Sequence, residues 1–311
     1  MIGNSYDLER FEYFPCATIM LRISIVVMSL IPADFDWNKF LIFNRHILGH
    51  FNEKTRANAE RLYLSTRSKY RLPYRNEDIE ILVYSGGKTG TSSLVMSCLR
   101  ADPSRCAIPV QNEGDLFGVS RIIDIVKSPR NRKLVIISSY REPISRHISA
   151  FFQGIRDLVG PNFMALPMHV ITNRFIELVR ANKWQDYHPF LENDRKNFDN
   201  VDIFAKPFNK EEGYQIFETD KVRIIQLRFD KMGNWEPVIR RYAEMPKFRL
   251  IPHNLTSTKP EAGLYKRFCA ELVLPKDVLD DLFSRSEKHL QYFHTPAEIA
   301  GLKQKWYGRC K

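Results

Sequence analysis

Ile79-Glu-Ile-Leu-Val-Tyr-Ser-Gly-Gly-Lys-Thr-Gly-Thr-Ser-Ser-Leu-Val-Met-Ser-Cys-Leu99 is the stretch whose reading decides the fold. It changes character twice. Ile79, Ile81, Leu82, Val83 and Tyr84 form a short apolar run, the mark of a buried strand. Ser85-Gly86-Gly87-Lys88-Thr89-Gly90 is a turn carrying one cation. From Thr91 onward, Leu94, Val95, Cys98 and Leu99 recur at helical spacing. Strand, glycine turn and helix aim several backbone N–H groups, and the positive end of a helix dipole, at one small volume. An anionic group suits that volume. Thr91, Ser92 and Ser93 add hydroxyl donors, and Lys88 adds a full charge.

The order of these residues separates the loop from a nucleotide triphosphate loop. A Walker A motif needs G-x-x-x-x-G-K-[ST], with the lysine opening the helix. Gly87-Lys88-Thr89 supplies only the tail, and the first glycine's position holds Leu82. Here the lysine precedes the turn and the hydroxyls follow it. A second stretch repeats the plan: Leu134-Val-Ile-Ile-Ser-Ser-Tyr-Arg141-Glu-Pro143-Ile-Ser-Arg146-His-Ile-Ser149-Ala-Phe151-Phe152 is again an apolar strand running into a helix. Pro143 falls in the first turn, where its missing N–H costs nothing. Arg141 lies at the strand's end, and its planar guanidinium suits a two-pronged phosphate contact. Ser149 lies two turns into the helix. Taken singly, a glycine turn, a solvated basic helix start and a helix-face hydroxyl are the alternative readings.

The order K-x-G-T-S-S-L resembles the 5′-phosphosulfate loop of sulfotransferases that use 3′-phosphoadenosine 5′-phosphosulfate (PAPS). The pattern R-x-P-x-x-R-x-x-S-x-F resembles their 3′-phosphate site. The resemblance implies that Lys88, Gly90, Thr91, Ser92 and Ser93 bind the 5′ end and that Arg141 and Ser149 hold the 3′-phosphate. Asn182-Lys-Trp-Gln-Asp186 resembles the Asn-Lys-Trp-Tyr-Ser motif of a bacterial family linked to capsular polysaccharide synthesis, although the last two positions depart from it. Phe198 to Phe204, Lys206 to Tyr214 and the strand-like Val222 to Asp230 follow the same family's pattern. The likeness spans about residues 79–307.

The resemblance also directs attention to a base and a closing loop. Cys106-Ala-Ile-Pro-Val-Gln111 reads as a second strand, with Glu113 just beyond it and a helix through Val126. Ligands of open α/β sheets gather at the carboxyl ends of the strands. Glu113 is therefore one candidate base; a helix-start carboxylate is the other reading. His188, between Tyr187 and Pro189, is the second candidate, against a structural or solvent-facing histidine. Residues 163–200 read as two helices. Pro252 to Pro260 is a polar loop ahead of a helix from Glu261, and such a loop closes over the cofactor in many sulfotransferases. Asn254 and Lys259 are candidates on that ground. Thr295-Pro-Ala-Glu298 has the form of a capping box opening the last helix.

Composition limits the classes. The chain has 311 residues, and 47 Lys and Arg against 36 Asp and Glu leave a net charge of +11. That length supports a large α/β core with an extension, and that charge suits an anionic cofactor, an acidic acceptor or a membrane surface. Zinc-type spacing, an arginine-rich run and aromatic RNA-binding motifs are absent, so nucleic acid is not an expected partner. Five cysteines without a C-x-x-C fit a reducing compartment.

Residues 1–78 form a mostly helical N-terminal extension in this reading. Pro15 to Ile31 is apolar but short for a span, and its central Arg22 would cost roughly 2.5–3.5 kcal/mol in a bilayer. A buried or partner-covered helix is the leading reading, and a peripheral membrane contact is the alternative.

The expectations are these. Residues 79–311 form an α/β domain with a mainly parallel central sheet, helices on both faces and a P-loop NTPase-like sulfotransferase fold. The chain is a cytoplasmic enzyme, peripheral to a membrane in the alternative reading. It moves a sulfuryl group from PAPS to a carbohydrate hydroxyl in capsular or cell-surface polysaccharide synthesis. Adenosine 3′,5′-bisphosphate leaves, and no metal takes part. The alternatives are a nucleotide kinase on a degenerate P-loop and a non-catalytic polysaccharide-binding protein.

Overall fold

Ile79–Tyr84 (β1), Cys106–Val110 (β2), Leu134–Tyr140 (β3), Tyr214–Glu218 (β4) and Val222–Arg228 (β5) form one sheet in a computed structural model of the chain. The order is β2-β1-β3-β5-β4. β2, β1, β3 and β5 run parallel, and β4 pairs antiparallel with β5 at the edge. The structure describes residues 76–85, 87–102, 105–110, 118–182, 198–251 and 260–310, all within the unit Tyr74–Lys311. Glu113, His188, Asn254, Lys259, residues 1–75 of the N-terminal extension and the stretch from Lys183 to Asp186 lie outside the described residues.

Alternation along the strands divides the core into two faces. Leu82, Tyr84, Leu134, Ile136, Val222 and Ile224 point one way, where helix Gly118–Lys127 (α2) brings Ile125 and Val126 and a following turn brings Phe198 and Ile203. Ile81, Val83, Val135, Ile137, Ile225 and Leu227 point the other way. Helix Thr91–Ala101 (α1) covers them with Leu94 and Cys98, and helix Trp235–Tyr242 (α6) with Trp235, Val238 and Ile239. Side chains on both faces are buried, as a parallel sheet requires. A register shift at Glu80 puts Ile79 on the same face as Leu82 and Tyr84, and the extra residue lets Glu80 pair with Arg105 at 2.7 Å. The expected α/β class, mainly parallel sheet and two-sided helices are present. β4 is an addition: it lies at the sheet edge, and only Phe217 of its five residues is buried.

Beyond the sheet stands a helical layer. It comprises Pro143–Gln153 (α3), Ile155–Val159 (α4), Met168–Arg180 (α5), Ala262–Glu271 (α7), Lys276–Arg285 (α8), Glu287–Phe293 (α9) and Pro296–Tyr307 (α10). Ile148, Phe151, Phe175, Phe268, Leu279 and Leu282 form its centre. Between Phe163 and Arg180 a single 3-10 turn precedes α5. Pro143 occupies the first turn of α3, and Glu142 caps that helix by accepting from the Ile144 and Ser145 amides at 2.8 Å each. At α10, Thr295 and Glu298 form the expected capping box.

A buried arginine ties the sheet to this layer. Arg228, at the end of β5 and 1% exposed, donates to Asp230 and to Glu298 with two nitrogens each. It also donates to the Phe293 carbonyl at 3.0 Å. Such paired, hydrogen-bonded charges are tolerated in a core where a lone one is not. Among the described residues, no helix is long and apolar enough to cross a membrane.

Candidate functional site

The strand order decides where a ligand can sit. From β1 the chain crosses to β2 on one side, then returns to β3 on the other. The loops leaving β1 and β3 therefore diverge, and the crevice between them is the binding position of open α/β sheets. The Lys88 loop leaves β1 and Arg141 leaves β3. Apolar alternation gives way to polar residues at this end of the sheet: Ser138, Ser139, Gln226 and Arg228 are all buried there.

The loop is held from several sides. Lys88 adopts φ 72°, and Gly90 adopts φ 90°. A Cβ on Gly90 would lie 3.3 Å from the Trp235 ring and 3.5 Å from Phe229, so this turn needs glycine for both conformation and space. Ser139 of β3 donates its hydroxyl to the Thr89 carbonyl at 2.7 Å. Ser85 and Thr91 join hydroxyls at 2.7 Å across the turn. The first helical bond of α1 runs from the Leu94 amide to the Gly90 carbonyl at 3.0 Å. The N–H groups ahead of it belong to the helix's N-terminal end, where anions are favoured. Of the hydroxyl residues, Ser92 is exposed, whereas Thr91 and Ser93 are buried.

Arg141 joins the two motifs. Its Nη1 donates to the Lys88 carbonyl at 3.2 Å. Its guanidinium lies over the Phe229 ring, 4.6 Å from the centroid. Tyr265 and Cys269 of α7 lie within its electrostatic reach. Burial raises the pKa of both side chains, and Arg141 counteracts it at each. Tyr265 meets Phe152 edge-on at 5.0 Å, one helical turn beyond Ser149 on α3. Ser149 is half-buried on that helix. Arg146, by contrast, is buried inside the fold, so it is not part of a solvated helix start.

The described flanks of the proline-bounded loop adjoin α1 on one side and α7 on the other. Ile251 donates its amide to Ser97 Oγ of α1 at 2.8 Å, and residue 260 leads into α7, which carries Tyr265.

Sequence reasoning missed Ser139, Phe229, Trp235 and Tyr265. Ser139 and Phe229 lie inside stretches read as strands, at their carboxyl ends, which is the available signal. Trp235 and Tyr265 are brought in only by helix packing.

Two further groupings include none of Lys88, Arg141 and Ser149. Asp230, His294 and Glu298 place three ligand-type atoms within 4.8 Å of one another, but both carboxylates already bind Arg228. A cavity of about 720 Å³ opens beside α8, α9 and α10, lined among others by Lys210, Gln291, His294 and Lys303. Neither Lys88 nor Arg141 nor Ser149 lines it.

Comparison of the chain with protein-family models, with curated proteins and with solved structures gives no match.

Proposed function

We propose that this chain is a PAPS-dependent sulfotransferase acting on a carbohydrate hydroxyl, on a P-loop-like sulfotransferase fold. The observation that carries the reading is the hydrogen bond from Arg141 to the Lys88 carbonyl at the switch point of the sheet. Two anion-suited motifs, 53 residues apart, meet in one crevice. Their donor chemistry fits a nucleotide with an anionic group at each end: a lysine, hydroxyls and a helix N-terminus on one side, a guanidinium on the other.

PAPS, when bound, supplies the sulfuryl group. Lys88 and the amides opening α1 bind the 5′ end and stabilise negative charge on the departing oxygen, a preorganised electrostatic contribution. Arg141 and Ser149 take the 3′-phosphate and so orient the nucleotide. The acceptor hydroxyl gives its proton to a base, for which Glu113 and His188 stand as candidates. Capsular or cell-surface polysaccharide is the acceptor class suggested by the family resemblance.

Calorimetric binding of adenosine 3′,5′-bisphosphate, compared with 5′-AMP and with ATP plus Mg²⁺, tests the reading. The expected result is metal-independent binding that needs the 3′-phosphate and falls in Arg141→Ala. Preference for ATP with Mg²⁺ would replace it with the kinase reading. Bisphosphate binding without turnover on an acceptor panel would favour a non-catalytic relative.

A further inference from the structure

We propose that Phe229 is a positioning residue for the anion site: its ring holds the Arg141 guanidinium against the Lys88 turn. The inference rests on the cofactor reading above and adds a residue that neither motif contains. One contact of the ring is the Arg141 guanidinium, 4.6 Å from its centroid. A second is the loop, because the space where a Gly90 side chain would stand is bounded by Phe229 at 3.5 Å and Trp235 at 3.3 Å. A third is Trp235 itself, edge-on at 6.1 Å. Phe229 thus faces both strand–loop–helix units as well as Trp235 of α6.

The backbone leading into Phe229 is held in place. Arg228, the preceding residue, is clamped by Asp230 and Glu298. The Arg228 carbonyl accepts the Trp235 indole N–H at 3.0 Å. The residue before Phe229 is therefore fixed through both its side chain and its carbonyl. A guanidinium on a flexible side chain loses rotamer freedom when it binds phosphate. Resting that guanidinium on a fixed aromatic face removes much of this cost in advance. The Lys88 carbonyl supplies direction, and the Phe229 face supplies the plane.

The consequence is selectivity. Phe229 acts on the group that meets the 3′-phosphate, so its loss weakens ligands that carry that phosphate more than those that lack it. Calorimetry with adenosine 3′,5′-bisphosphate and 5′-AMP on wild type, Phe229→Leu and Phe229→Tyr reads this directly. Phe229→Leu is expected to weaken the bisphosphate roughly tenfold and 5′-AMP by a clearly smaller factor, through the ring's contact with the Gly90 turn. Phe229→Tyr, which keeps the ring, is expected to retain wild-type selectivity. Phe229→Leu in an Arg141→Ala background is expected to add no further loss. Should Phe229→Leu fail to fold, Phe229→Met serves the same comparison. Unchanged bisphosphate affinity, or equal weakening of both ligands, overturns the inference while the cofactor reading stands. A wild-type protein that does not bind the bisphosphate overturns both.

Discussion

Arg141 donates to the backbone carbonyl of Lys88 at 3.2 Å, so the cation at the end of one parallel strand braces the cation-bearing turn at the end of its neighbour. The two positive side chains belong to different motifs. Their spacing is set by main-chain geometry rather than by contact between like charges.

Lys88→Ala is expected to lower sulfuryl transfer roughly 100- to 1,000-fold, the loss typical of one transition-state donor, with the far-ultraviolet circular dichroism of the wild type. Steady-state turnover with saturating PAPS and acceptor reads it. Undiminished turnover would remove Lys88 from the mechanism.

Ser139→Ala removes the hydroxyl that holds the Thr89 carbonyl at 2.7 Å. The expected cost is about 1 kcal/mol in urea unfolding, together with weaker bisphosphate binding because the loop loses an anchor. A variant as stable as wild type and with equal affinity would show that β3 does not position the turn.

Gly90→Ala places a side chain where φ is 90° and where Trp235 stands at 3.3 Å. The left-handed conformation alone costs roughly 1–2 kcal/mol for a residue with a Cβ. Thermal unfolding is expected to fall accordingly, and bisphosphate affinity with it. An unchanged melting temperature would contradict the turn described here.

Glu298→Gln tests the tie between β5 and α10. Burial works to raise the Glu298 carboxyl, but the Arg228 guanidinium and the Thr295 amide outweigh it and bring the pKa from 4.5 down to about 2. The charged form is thus favoured by folding. Its contribution is complete above the unfolded pKa and is lost as pH falls through the folded one. At pH 7 the variant is expected to lose roughly 1.5–3 kcal/mol. The difference from wild type is expected to shrink as pH falls from about 4.5 toward 2.

His294 supplies a second pH window. It is 5% exposed; burial first, then the Arg228 charge and that of Lys210, lower its pKa to about 4, against the pull of Asp230 and Glu298. The folded state therefore keeps the ring neutral while the unfolded chain protonates it near 6.5. Stability is fully present above the unfolded value and declines as pH drops toward 4. Between pH 7 and pH 5 the loss from this group is expected to approach about 2 kcal/mol. His294→Gln should flatten that part of the profile in denaturant titrations. An equal slope in both proteins would assign the acid sensitivity elsewhere.

The parts of the fold legible in the chain are those with local causes. β1, β3 and β5 announce themselves as apolar runs that end in polar residues, because both faces of each are buried. Pro143 and the Thr295–Glu298 box mark helix starts, because capping is satisfied within one turn. β4 was not legible: its five residues sit at an edge with one buried side chain, and its pairing is decided by β5. The tight turn before it needs Gly213, whose φ is 77° and whose Cβ would stand 2.5 Å from Lys231, a residue distant in sequence.

The candidate site divides in the same way. By itself, the sequence determined that Lys88 with its hydroxyls, and Arg141 with Ser149, each lie at a strand–helix junction, because apolar periodicity and turn residues act over a few positions. Only the tertiary structure decided that the two junctions share one crevice, since that depends on β3 returning to the opposite side of β1 from β2. It also decided what surrounds Arg141. Phe229, Trp235 and Tyr265 reach the site through strand pairing and helix packing, interactions between residues far apart in the chain, for which no local pattern exists.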